Sequence, residues 1–172
     1  HAVFAQLEEE ETTVSTPATI AMDLNNTQGW TLYNLDQQSK YWKMIKDSYA
    51  ESPSLDASQI TSITINMRTW GGASYNTIEF SVAGKKIGEL KADNNNLKDY
   101  TWKPITTPSG VGALRFSSPT STASEGPAFS SITIEANGGT GTSTNYVYSR
   151  YITSCADTST EIIITPEKSK IG

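Results

Sequence analysis

Residues 63–82 constrain the fold more than any other stretch. Ile63, Ile65 and Met67 alternate with Thr64, Asn66 and Arg68; after Trp70-Gly71-Gly72, Ile78, Phe80 and Val82 alternate with Thr77, Glu79 and Ser81. A period of two gives each strand one apolar face. The spacing predicts two strands joined by a tight glycine turn, and two such faces make half the core of a sandwich or barrel. The turn carries Trp70, Tyr75 and Asn76, and loops on a rigid scaffold are where binding residues concentrate.

The same alternation recurs along the chain. Ile20 and Met22 face away from Asp23, and aromatic-rich segments at 30–35 and 41–45 flank a polar turn at 36–40, which predicts a hairpin. Within 41–45, Tyr41, Lys43 and Ile45 share one face and Trp42 and Met44 the other, so one aromatic belongs to the core and another stays partly exposed. Residues 50–58 contain Pro53 and Asp56 and read as a loop leading into the strand at Ile60. Turns at 83–86 and 93–96 precede further strands, and Leu114, Phe116, Ile132 and Ile134 mark the last inward rows. Roughly nine or ten short strands with closely spaced turns predict an all-β, antiparallel jelly-roll β-sandwich. The abundance of Ser, Thr, Asn and Gly fits that class.

The 172 residues suit one domain with tails. Residues 1–16 are expected to be a lead-in strand and an acidic linker around Glu8, Glu9, Glu10 and Glu11; 17–136 the sandwich; and 137–172 an edge strand with a C-terminal linker and tail. Residues 2–6 fit an opening strand better than the end of a signal peptide. The absence of an initiator methionine suggests a piece of a longer polypeptide.

Several functions are disfavoured. The net charge of −5 comes with no basic stripe, which argues against nucleic acid. No segment is apolar for the length of a bilayer crossing, so membrane insertion is not expected. His1 is the lone histidine and Cys155 the lone cysteine, which rules against a nucleophile–histidine arrangement within one folded unit and against an intrachain disulfide. Glu79 and Glu89 point outward with nothing placing them across a cleft, so they read as surface charge and not as a glycosidase pair. A non-enzyme is expected. What remains is aromatic: flat rings beside amides and hydroxyls suit the faces of sugars. Trp70 is out of phase with the inward row and should lie outward beside Tyr75 and Asn76, with Trp42 a further ligand-binding candidate. Trp30 and Trp102 read as core.

Taken together, Gly29-Trp30-Thr31, Trp42, Ser54-Leu55-Asp56, the strand 63–67, Arg68-Thr69-Trp70-Gly71-Gly72 and the run from Asn76 to Val82 resemble jelly-roll accessory modules of secreted or surface Bacteroidetes proteins, of the cleaved-adhesin and anchor-associated type. Residues 129–135 and 148–155 resemble the segment that precedes type IX secretion sorting domains. The resemblance implies a non-catalytic, secreted or cell-surface module of a larger enzyme or adhesin, with carbohydrate or a surface glycoprotein and neighbouring domains as partners. It also implies a structural calcium, for which Asp23 is the one early-strand carboxylate available. The alternative is a spacer, prodomain or assembly subunit that binds no small ligand.

Overall fold

The computed structural model describes the backbone of residues 2–72 and 75–153 and the side chains of residues 11, 13–72 and 75–139. Two compact units emerge, residues 14–141 and a second formed by 1–13 with 142–172.

The larger unit is a two-sheet sandwich. Its first sheet contains β2 (Thr19–Asp23), β4 (Asp36–Gln37), β5 (Trp42–Lys43), β7 (Ile60–Arg68), β10 (Lys98–Trp102) and β12 (Ala128–Ala136). The second contains β3 (Thr31–Tyr33), β6 (Tyr49–Asp56), β8 (Thr77–Val82), β9 (Lys85–Lys91) and β11 (Val111–Ser117). Pairing is antiparallel throughout these sheets. The orders β2-β12-β7-β10 and β6-β11-β8-β9 interleave the chain between the sheets as a jelly roll does. Strand β3 widens the second sheet beyond β6, and the hairpin β4–β5 joins the first sheet beside the start of β12.

Register explains the core. Tyr100, Ile65, Ile132 and Met22 form one inward rung of the first sheet, and Trp102, Ile63, Ile134 and Ile20 form the next. Against them the second sheet sets Leu55, Ile78, Phe80, Leu114 and Phe116, all fully buried. Each such aliphatic or aromatic side chain contributes about 1.5–3 kcal/mol by leaving water. Phe80 ties the layers together, with its ring centroid 5.1 Å from Trp102 and 5.6 Å from Phe116.

Four expectations need correction. Strands β7 and β8 lie in different sheets, so residues 69–76 bridge two layers and do not close a hairpin. Residues 50–58, read as a loop, hold most of β6, an interior strand of the second sheet. Pro53 disguised it: β3 pairs only with residues 49–51 of β6, and the β11 register shifts opposite residues 52 and 53, so no ladder bond is needed from the proline nitrogen. The expected hairpin of 30–35 with 41–45 does not form, because β3 joins β6 and β5 pairs with β4 instead. Finally, Glu8 to Glu11 lie within a strand and not in a linker.

That strand belongs to the smaller unit. β1 (Ala2–Thr16) pairs with β13 (Gly139–Thr153) as a two-stranded sheet, so the glycine-rich stretch from residue 139 is strand as well. Each supplies the other's backbone partners across most of the chain's length. His1 and the tail from 154 onward, Cys155 included, lie outside the described residues.

Candidate functional site

The loop after β7 is fixed by its own amides. Trp70 N–H donates to Asn76 Oδ1 (2.8 Å), while Asn76 Nδ2 and Tyr75 N–H both donate to the Gly72 carbonyl (2.8 and 3.0 Å). Outside the loop, Thr69 N–H donates to the Asn94 carbonyl and Ala92 N–H to that of Asn76. Gly71 has φ of +75°, and a Cβ there would meet the Glu125 side chain at 2.7 Å, so glycine is needed on both counts. Asn76 is only 1% exposed. Its amide is consumed holding the loop, so the expectation that it contacts ligand is corrected: it positions Trp70.

Trp42 is corrected in the same way. Its register puts it on the inward rung with Phe129 and Met67, and it is 4% exposed with its ring 5.5 Å from Phe129. Residue parity decides this, since Lys43 next to it takes the outer face. Tyr41, its other neighbour, is half-buried.

Trp70 and Tyr75 are both half-buried, and Trp70 stands by an outer rung made of Arg68, Ala128, Lys43 and Asp36. The Lys43 ammonium lies 4.4 Å from the indole centroid, held by the Ser124 carbonyl (2.9 Å) and the Asp36 carboxylate (3.5 Å). The Arg68 guanidinium carbon lies 5.0 Å from the Trp70 ring and 5.8 Å from that of Tyr41, and the two rings are 5.9 Å apart and tilted by 53°. Contacts of this kind are worth about 0.5–1 kcal/mol at exposed sites. Arg68 Nε donates to the Thr69 carbonyl, and among the described residues the guanidinium makes no ion pair. The patch therefore offers partly open rings and a preorganised fork of N–H donors, which can hold a hydroxyl-rich ligand. Sequence reasoning missed Tyr41 and Arg68 here. The signal for both was parity, because they are the outward neighbours of inward Trp42 and Met67.

Glu79 and Glu89 face each other across β8 and β9 and share Lys86 at 3.6 and 2.6 Å. The hydrogen bond that Lys86 donates to Glu89 is the main reason its ammonium titrates above its ordinary value. Asp23 caps a turn, its Oδ1 accepting from the amides of Asn25 (2.8 Å) and Asn26 (2.9 Å). Among the described residues no three His, Cys, Asp or Glu side chains converge, and a lone Asp with one oxygen so engaged falls short of the six to eight oxygens calcium takes. The surroundings of Asp23 do not fit the ion.

No protein-family model matches the chain, and no curated protein matches it in sequence. Solved structures do resemble it. The CBM36-1 domain of a multidomain xylanase from the hindgut metagenome of Trinervitermes trinervoides superposes with a TM-score of 0.47 at 12% identity, over 76% of this chain and 100% of that one. The C-terminal CBM6 of a marine laminarinase from Zobellia galactanivorans gives 0.46 at 12% identity, over 68% and 98%. A family two carbohydrate esterase from Cellvibrio japonicus gives 0.45 at 6% identity, over 76% of this chain and 35% of that one. Overlaps this loose identify no ligand, and the jelly-roll order stands on the strand pairings themselves. Among the described residues no helix is long and apolar enough to cross a membrane.

Proposed function

We propose that the sandwich is a non-catalytic, extracellular carbohydrate-binding module of a larger secreted bacterial protein, and that its ligand contacts Trp70 and Tyr75, with Tyr41 and Arg68 completing the patch. The observation that carries this reading is the half-buried Trp70 ring, held by its loop beside a guanidinium that forms no ion pair among the described residues. An indole covers the C–H face of a pyranose and the arginine fork donates to neighbouring hydroxyls. The glycan is free polysaccharide or the sugar of a surface glycoprotein. The sequence resemblance supports an adhesin-type accessory module of Bacteroidetes, exported through the type IX pathway and working beside neighbouring domains.

Affinity electrophoresis through gels containing neutral and acidic polysaccharides tests this. Retardation of the wild type that falls at least tenfold in association constant in Trp70→Ala and Arg68→Ala supports the site. Retardation unchanged in both variants refutes it.

A structural role has one observation in its favour. A two-stranded ribbon such as β1 with β13 is marginal by itself and gains stability from a further surface. On that reading the chain is a spacer or assembly subunit whose ribbon packs on a neighbouring domain or chain.

A further inference from the structure

The outer face of the second sheet carries a separate set of groups. Its register lines up Thr31, Glu51, Arg115, Ser81 and Lys86 in one rung across five strands, with Tyr33 opposite Tyr49 beside it. The Tyr33 and Tyr49 rings stack at 5.1 Å and 23°, and Tyr33 is 54% exposed, one of two large apolar side chains so open among the described residues. The Arg115 guanidinium lies 3.9 Å from the Tyr49 centroid and its Nε donates to Glu51 Oε2 at 3.0 Å. Three planar groups are thereby fixed in a row by one another.

Relief on this face comes from small residues. Arg115 stands between two open depressions. One, of about 440 Å³, is lined by Lys46, Asp47, Tyr49, Ser117 and Ser118; the other, of about 510 Å³, by Glu51, Ser81, Ala83, Gly112 and Ala113. Arg115 lines both, so the two depressions lie on either side of its side chain, and a ligand that crosses it would occupy them as one trough.

The charges on this face favour a neutral occupant. Arg115 is paired with Glu51, Lys86 bridges Glu79 and Glu89, and Lys46 adjoins Asp47. A phosphate backbone or an acidic glycan meets more carboxylates than cations among these groups and gains no net attraction. An uncharged chain of hydroxyls finds donors and acceptors in fixed alternation, with a phenol ring to stack on.

We infer that the outer face of β3, β6, β11 and β8 is a second glycan site, independent of Trp70, which binds a neutral polysaccharide chain along the trough, with Tyr33 as the stacking platform and Arg115 and Glu51 as the hydroxyl-reading pair. It borrows from the proposed function only the class of ligand, and the two sites stand on opposite sheets. A wide, shallow trough divided by one arginine suits a chain of several sugars better than a single one.

Amide chemical-shift mapping of the full chain separates the two sites. Titration with neutral hexasaccharides (xylo-, cello-, laminari- and manno-), each to millimolar concentration, should move amides of residues 31–33, 49–51 and 112–117 in the wild type. Tyr33→Ala should weaken that response at least tenfold, and Tyr33→Phe should retain it. Trp70→Ala should leave it unchanged. Tyr33 is exposed, so its removal leaves the core intact, which the dispersion of the remaining amides verifies. Shifts confined to 68–76 overturn the inference and leave the Trp70 site standing. Shifts on the sheet alone uphold it and remove the Trp70 site. No shift with any hexasaccharide overturns both.

Discussion

The two outer faces of the sandwich start from the same strand alternation and end with opposite character. On the first sheet, polar side chains consume one another: Thr64 with Thr101 (2.8 Å), Asn66 Nδ2 with Asp99 (2.9 Å), Ser130 with Asn66, and Thr19 with Glu135 (2.9 Å). Short side chains in register make a closed polar ladder, which stabilises pairing and leaves few groups for a ligand. The second sheet places long planar groups next to glycine, alanine and serine, so the face keeps both relief and unsatisfied bonding capacity. The proposed site on the first sheet sits at its margin, where Arg68 ends β7 in the outer rung with Ala128, Lys43 and Asp36 and Trp70 follows it. The difference shows that outward polarity alone does not set the character of a face; residue size along a rung sets its relief.

The largest effect should come from the core that supports both faces. Phe116→Ala removes a fully buried ring packed on Trp30 and Phe80 and should cost about 3–5 kcal/mol in chemical denaturation. Any glycan response on either face should fall together with it. Gly88→Ala comes next. A Cβ there would approach Trp102 at 2.6 Å and Phe80 at 2.7 Å, so overpacking of about 1–3 kcal/mol is expected, read as a lowered denaturation midpoint.

Asn76→Ala separates the two faces. It leaves the Trp70 N–H and the Gly72 carbonyl without the partners that the buried Asn76 amide supplies and should cost about 1–3 kcal/mol by denaturation. Amide shifts in 68–76 should change while those of 112–117 stay in place. Within the closed ladder, Thr101→Val should cost about 0.5–1.5 kcal/mol and alter no glycan response.

The smallest effect is one of pH. Asp93, in the connection from β9 to β10, is held below its ordinary value of 3.8, first by the hydrogen bond from the Tyr100 hydroxyl and then by Lys98. A carboxylate depressed in the folded state contributes stability fully above its unfolded value, and that contribution is lost as pH falls through the folded value. Tyr100→Phe should therefore lower the midpoint slightly at neutral pH, with the gap to wild type closing as the solution is acidified well below 3.8. A gap that widens on acidification contradicts the assignment.

Much of the scaffold was legible because it rests on period-two patterning. The inward rows Ile63-Ile65-Met67 and Ile78-Phe80-Val82 are buried as expected, and so are Leu114, Phe116, Ile132 and Ile134. Strand β6 was not legible, since Pro53 and a register shift hide its alternation, and neither was the assignment of β7 and β8 to different sheets, which local sequence does not specify. At the site, phase placed Trp70 off the inward row. It could not reveal that Asn76 spends its amide on the backbone, or that Trp42 pairs inward with Phe129. Tyr33, Tyr49 and Arg115 escaped notice because two neighbouring rungs across three strands, one of them bulged, bring them together.

Intrinsic tryptophan fluorescence of the full chain, wild type and Trp70→Ala, titrated against soluble polysaccharides with and without calcium, tests the carbohydrate reading most directly. Saturable change with one glycan class, absent in the variant and indifferent to calcium, is the predicted result. A wild type that responds to no glycan, or a folded variant that responds as the wild type does, contradicts the account of Trp70.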